Sequence, residues 1–150
     1  MKKILIILLL IIFLVSGCGN KQKQLTYNNV FFASSSDGVN FEKLDNSVYK
    51  KGDKVYIIMS NVGKFEKDSN GINSFDIDVE VKYKDKVLIS QTNLLGKSGK
   101  VNLENNIAKS PYGSFTSGKG LESGNYTFKM IIKDLVSGAQ AIAEKDFELV

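Results

Sequence analysis

The chain has 150 residues, with 20 basic and 16 acidic side chains for a formal charge of +4, and every cation is lysine. That length makes one domain, or one domain with a short appendage. There is no arginine, histidine or tryptophan, and only one cysteine. These absences exclude histidine-based catalysis, histidine metal sites, intrachain disulfides and arginine forks for phosphate or carboxylate. A small lysine surplus spread along the chain gives no support for a nucleic-acid partner.

The chain opens with Met1, Lys2 and Lys3, followed by twelve unbroken apolar residues at 4–15. As a helix that run rises about 18 Å, short of the roughly 30 Å hydrocarbon core of a bilayer. A basic start, a short apolar run and then small residues is the layout of a secretory signal. The small residues are Ser16 and Gly17, and the next residue, Cys18, is the only cysteine.

Val15-Ser16-Gly17-Cys18, with Leu14 ahead of it, resembles the lipobox of bacterial lipoproteins. The resemblance implies that the Cys18 thiol receives a diacylglyceryl group and that a signal peptidase cuts between Gly17 and Cys18. Acylation of the new amino group can follow. Two acyl chains hold a protein at a membrane stably, because each buried methylene contributes about 0.8 kcal/mol. The expected location is lipid-anchored at the cell membrane or outer membrane, with the domain outside the cytoplasm. Gly19, rather than an aspartate, resembles lipoproteins released to the outer membrane where a cell has two.

This divides the chain into a signal at 1–17, a lipidated cysteine and tether at 18–24, and a domain at 25–150. Lys2 and Lys3 leave with the signal, so the remainder is close to neutral and basic attraction to lipid is not the main anchor. Residues 19–24 contain no apolar side chain and read as a solvated spacer.

From Leu25 onward the dominant period is two. At 75–84, Phe75, Ile77, Val79, Val81 and Tyr83 share one face, while Asp76, Asp78, Glu80, Lys82 and Lys84 share the other. That is a strand with one buried and one wet face. Further strands are predicted at 25–33, 54–62, 87–91, 125–134 and 140–149, with a short extension at 39–44. The apolar run at 54–62 implies burial on both faces, and 84–86 reads as a hairpin connection. The Gly-, Ser- and Asn-rich stretch 94–119 is the least regular, with room for short edge strands around Val101 and Phe115.

About seven short strands without a long amphipathic helix point to an all-β fold, an antiparallel β-sandwich, with a small barrel as the alternative. Leu121-x-x-Gly124-x-Tyr126-x-Phe128 resembles the tyrosine corner of immunoglobulin-like and fibronectin-type domains. There a tyrosine hydroxyl bonds back to the backbone and pins the crossing between sheets. The resemblance covers residues 121–128 and implies an immunoglobulin-like sandwich, an architecture that carries no single function.

Residues 113–120 approach a phosphate-binding loop, but Gly120 stands where a magnesium-holding Ser or Thr belongs, and a strand rather than a helix follows. A flexible loop is the expectation there. Asp76, Asp78 and Glu80 share one strand face, where side chains two apart sit about 7 Å from each other, too far for a calcium cage. A solvated, charge-balanced surface is expected instead. Asp68, Asn70 and Gly71 lack the remaining ligands of a calcium loop.

Aromatic candidates for a recognition surface are Tyr27, Phe31, Phe32, Phe41, Tyr49, Phe65, Tyr112 and Phe115. Phe65 and Phe115 lie in polar stretches and are the two expected to be exposed. No catalytic residue, metal ligand or cofactor site is assigned. The favoured function is a non-enzymatic binding or interaction module at the cell envelope, with a protein or other envelope component as partner. The alternatives are an accessory subunit of an envelope complex and, less favoured, a small hydrolase using paired carboxylates or a Ser–Lys dyad.

Overall fold

The computed structural model describes residues 23–150. The signal 1–17, the cleavage position Gly17, the lipidation position Cys18 and most of the tether lie outside the described residues. Backbone pairing begins within the segment read as spacer: the Gln140 amide donates to the Lys23 carbonyl, and Gln24 forms a bridge with Gln140.

In chain order the first strands are β1 (Asn29–Ser34), β2 (Glu42–Lys43), β3 (Val48–Tyr49), β4 (Lys54–Ser60) and β5 (Asn73–Tyr83). They are followed by β6 (Lys86–Gln91), β7 (Lys100–Val101), β8 (Tyr112–Thr116), β9 (Gly124–Asp134) and β10 (Gln140–Leu149). Seven of these are five residues or longer; β2, β3 and β7 are two-residue pairings. They form two sheets, β2-β1-β4-β8 and β3-β10-β9-β5-β6, with β7 also paired to β5. The sheets do not join at either edge, so the architecture is the sandwich and not the barrel. All the long pairings are antiparallel; only the short β3 lies parallel to β10. Among the described residues no helix is long and apolar enough to cross a membrane.

Period-two patterning builds the core. Ile77, Val79 and Val81 of β5 and Tyr126, Phe128, Met130 and Ile132 of β9 are buried. They meet Phe32 of β1 and Val55, Ile57 and Met59 of β4 in one cluster. Each such side chain contributes about 1.5–3 kcal/mol by leaving water. Strand β4 is buried on both faces, as its sequence predicts: Tyr56 and Ile58 form a second, smaller cluster with Ala33, Phe31 and Phe41 on the outside of the smaller sheet. A loop covers that outer cluster. The Asp37 carboxylate accepts the Val39 and Asn40 amides, both at 2.8 Å, and turns the chain back so that Phe41 lies 5.3 Å from the Tyr56 ring.

The hairpin between β5 and β6 is the two-residue turn Lys84–Asp85, both residues at positive φ. At the same end of the sandwich, where β9 begins, the Tyr126 hydroxyl donates to the Glu122 carbonyl at 2.7 Å. Gly124 has φ +142 and lies against the Tyr83 ring, where a Cβ would come within 3.3 Å. Leu121 is half-buried against the main core. Tyr83 stacks on Tyr126 at 4.6 Å and donates its own hydroxyl to Glu122 at 2.9 Å.

Two expectations are overturned here. Phe65 and Phe115 are buried, at 1% and 6% exposure, although their neighbours in sequence are polar. The loop after β4 folds over the sandwich with Phe65 packed 5.2 Å from Phe75, whereas Phe115 is an inward-facing residue of β8, 5.6 Å from Phe128. The stretch 113–120 is not a flexible loop throughout. Gly113, Ser114, Phe115 and Thr116 belong to β8, and Ser117 is buried, with its hydroxyl donating to the Asp53 carbonyl at 2.9 Å.

Candidate functional site

Strand β6 pairs with β5 only from Val79 to Tyr83 and β7 only at Asn73 and Ser74, which leaves residues 75–78 of β5 without a strand beside them between the two. The chain after β6 fills part of the gap. The Leu94 amide donates to the Ile77 carbonyl at 3.0 Å, and residues 93–96 are then held by acidic side chains from β5. Asp76 Oδ1 accepts the Leu95 amide at 2.8 Å, Asp76 Oδ2 accepts the Gly96 amide at 3.2 Å, and Asp78 Oδ1 accepts the Asn93 amide at 2.9 Å. Lys133 bridges Asp78 at 2.8 Å and the Asn93 side chain at 2.9 Å.

This corrects the expectation of a solvated acidic face. Asp76 is 3% exposed, because a loop that begins nearly twenty residues later lies on top of it. Asp78 is half-buried, while Glu80 pairs with Lys82 at 3.1 Å. Their oxygens hold a loop and balance lysines. Among the described residues no three acidic or cysteine side chains converge as a metal-binding group.

Across the gap stands β8, the edge strand of the smaller sheet. The chain's only proline, Pro111, precedes it, as suits an edge where one amide donor is dispensable. Pro111 accepts the Met59 amide, and the Ser117 amide donates to Asp53. By strand alternation, Tyr112, Ser114 and Thr116 turn their backbone groups away from β4 toward the open edge. Gly113 faces inward, and a Cβ there would lie 2.6 Å from Val79 and 3.3 Å from the Met130 sulfur. Glycine therefore lets β8 approach the larger sheet and leaves the edge without a side chain to fill it.

The result is a groove of about 440 Å³ lined by Phe75, Ile77, Gln91, Leu94, Leu95 and the residues from Ser110 to Ser114. Its surface is mostly apolar, with Gln91, Ser110, Ser114 and the Tyr112 hydroxyl as polar groups. No lining side chain carries a charge at neutral pH. Tyr112 forms a shared wall with a second depression, about 540 Å³, on the outside of the smaller sheet. There Phe31, Phe41, Val39 and Tyr112 present an apolar shelf, with the Phe41 and Tyr112 rings 4.7 Å apart.

Of the eight aromatic candidates, Tyr112 and Tyr27 are the exposed ones, at 39% and 37%. Phe31 and Phe41 are half-buried at the shelf; Phe32 and Tyr49 are core. Sequence reasoning included Tyr112, placed Asp76 on a solvated face, and missed Leu94 and Pro111. Only the proline offered a signal, because it marks an edge strand.

Two sheets open along one side, with an apolar groove at that opening, make this chain an all-β immunoglobulin-like sandwich. Solved structures share the architecture. A Niemann-Pick type C2 protein from Japanese carpenter ant superposes with a TM-score of 0.52 at 9% identity, covering 89% of this chain and 96% of that one. The C-terminal domain of wzt superposes with a TM-score of 0.51 at 14% identity, covering 86% and 75%. At these identities the likeness concerns the fold. No protein-family model matches the chain, and no curated protein matches it in sequence.

Proposed function

We propose that this protein is a bacterial lipoprotein, anchored by acyl chains on Cys18, that displays a non-enzymatic binding module on the outer side of a cell membrane. The observation that carries the binding reading is the composition of the edge groove. Its walls offer apolar surface, two serine hydroxyls, an amide and the Tyr112 phenol, whose hydroxyl donates to the Gly38 carbonyl, and no carboxylate, lysine or thiol to pair with them. Such a lining holds an apolar group in place and lacks the paired titratable groups that hydrolysis needs. The lipobox supports the location, since a tether of a few residues confines the groove to a thin layer and raises its effective concentration toward neighbours there.

The test is chemical crosslinking in intact cells followed by capture of the protein. Leu94, 44% exposed at the groove, is the variant position. A reproducible partner is expected with the native chain and is lost with Leu94→Lys. An identical set of captured molecules with both would contradict the reading.

The open edge of β8 favours a second reading, an accessory subunit of an envelope complex. Backbone groups of Tyr112, Ser114 and Thr116 that find no partner among the described residues suit pairing with a strand of another chain. That reading requires a fixed stoichiometry on purification from detergent extracts, which a transient binding module does not show.

A further inference from the structure

We infer that the turn joining β9 to β10 is the membrane-facing tip of the domain, and that Leu135 and Val136 contact the lipid of the bilayer that holds the anchor. This rests on the reading of Cys18 as the lipidated residue and adds to it an orientation and a contact surface.

The geometry at the start of the described chain sets the orientation. Residues from Lys23 run parallel to the beginning of β10: the Gln140 amide donates to Lys23, and the Leu25 amide donates to Gln140. The described chain therefore begins beside the turn that precedes Gln140. From Lys23 to Cys18 there are five residues, which reach at most about 18 Å. The sandwich is longer than that, since the ten residues of β10 extend about 30 Å. Acyl chains on Cys18 therefore bring the Lys23 end to the bilayer and keep the Lys84–Asp85 hairpin at the far end.

The turn at that tip is built to present apolar side chains outward. Leu135 is 53% exposed and Val136 37%. Their backbone is held firmly: the Leu135 amide donates to the Ser74 carbonyl at 2.8 Å, and the Val136 amide to Asp134 Oδ1 at 3.0 Å. Asp134 is itself buried, and its other oxygen takes the Glu66 amide at 2.8 Å and the Ser137 hydroxyl. The exposed pair is thus fixed in place. Ile142, 45% exposed, and Tyr27, whose hydroxyl donates to the Ile142 carbonyl, continue apolar surface along the same flank beside Lys23.

Charge plays a minor part. Lys23 is paired with Glu66 at 3.0 Å. The contact is therefore apolar, formed on zwitterionic lipid and insensitive to salt. It also places the edge groove near the lipid surface, because Phe75 at the groove pairs with Asp134 at the base of the turn.

The chain contains no tryptophan, so Leu135→Trp and Leu88→Trp each give a single reporter, one at the tip and one near the far hairpin. Full-length protein extracted from membranes is reconstituted in phosphatidylcholine vesicles with brominated acyl chains, and flotation is measured alongside fluorescence. Expected are flotation that is lost in Cys18→Ser, blue-shifted emission from Leu135→Trp, and quenching severalfold greater there than at Leu88→Trp. Val136→Trp repeats the measurement should the first variant fold poorly. Flotation with equal, unquenched emission from both ends overturns the orientation and leaves the anchor standing. Flotation unchanged by Cys18→Ser, or no flotation of the native chain, overturns the anchor and the inference with it.

Discussion

The buried Asp76 carboxylate accepts the Leu95 amide at 2.8 Å and through it fixes one wall of the edge groove. The same side chain accepts the Ile77 and Gly96 amides, so three backbone donors converge on one acid that is 3% exposed. A strand position that alternation assigns to water has become the fastening point of a loop. Hydrogen bonds to a charged acceptor contribute about 1.5–3 kcal/mol each, and removing the acceptor leaves buried donors unpaired.

Asp76→Ala is therefore expected to lower unfolding free energy by about 2–4 kcal/mol in urea titrations. Amide exchange at Leu95 and Gly96 should rise more than exchange in β9, because the loop opens before the sheet does. Capture of the partner by crosslinking should fall with it. Unchanged exchange at Leu95 would remove Asp76 from the groove's support.

Gly99 lies flat on β5 at the end of the 3₁₀ turn Gly96–Gly99, where a Cβ would stand 1.9 Å from the Phe75 carbonyl oxygen. That oxygen belongs to backbone and has little freedom to yield. Gly99→Ala is expected to cost about 3 kcal/mol, at the upper end of overpacking effects, and to lower the thermal midpoint measurably. A stability equal to the native chain would show that the turn stands farther from β5.

Tyr49 presents the opposite case. Its ring packs edge-on against Phe32 and Phe147, at 5.9 and 5.8 Å, while its hydroxyl is buried without a hydrogen-bond partner among the described residues. Burial pushes that hydroxyl's pKa far above its usual value, with the charge of Asp53 adding to the effect. Tyr49→Phe keeps the ring contacts and removes an unpaired polar group, so stability should rise by about 1 kcal/mol. A loss of stability in the same titration would mean the hydroxyl has a partner.

Acid sensitivity follows from the surface turns. The amides of Asn40 and Val39 hold the Asp37 carboxyl far below its usual pKa, and the amides of Ile72 and Asn70 lower Asp68. In Glu122 the lowering comes first from the Tyr83 hydroxyl and then from Lys84. A carboxyl whose folded pKa is depressed contributes stability above its unfolded value, about 4, and loses it as pH falls through the folded value. The thermal midpoint should be level from pH 7 to about 5 and fall below about pH 4. Asp37→Asn should flatten part of that fall; an equally steep fall in the variant would place the sensitivity elsewhere.

What the sequence revealed was what depends on near neighbours. Strand β5 was legible because Ile77, Val79 and Val81 alternate with charged residues, and β4 because Val55 through Met59 is apolar without a break. The spacing of Leu121, Gly124 and Tyr126 pointed to a hydroxyl turned back on the chain, and Tyr126 bonds to Glu122 four residues away. The groove was not legible, because its parts come from residues near 75, 94 and 112 that only the sheet order brings together. Asp76 and Asp78 look alike in sequence; a distant loop buries one more than the other. Phe65 misled because local polarity says nothing about which loop folds over a sandwich, and Phe115 because the short strand that turns it inward is otherwise polar and glycine-containing.

The central claim is that this sandwich is held at a membrane through Cys18. The most direct measurement is intact mass and N-terminal peptide mass of the protein extracted from its native cells. The account predicts a chain that begins at Cys18 and carries acyl mass on that residue. A chain that begins at Met1, or a Cys18 with a free thiol, would contradict it.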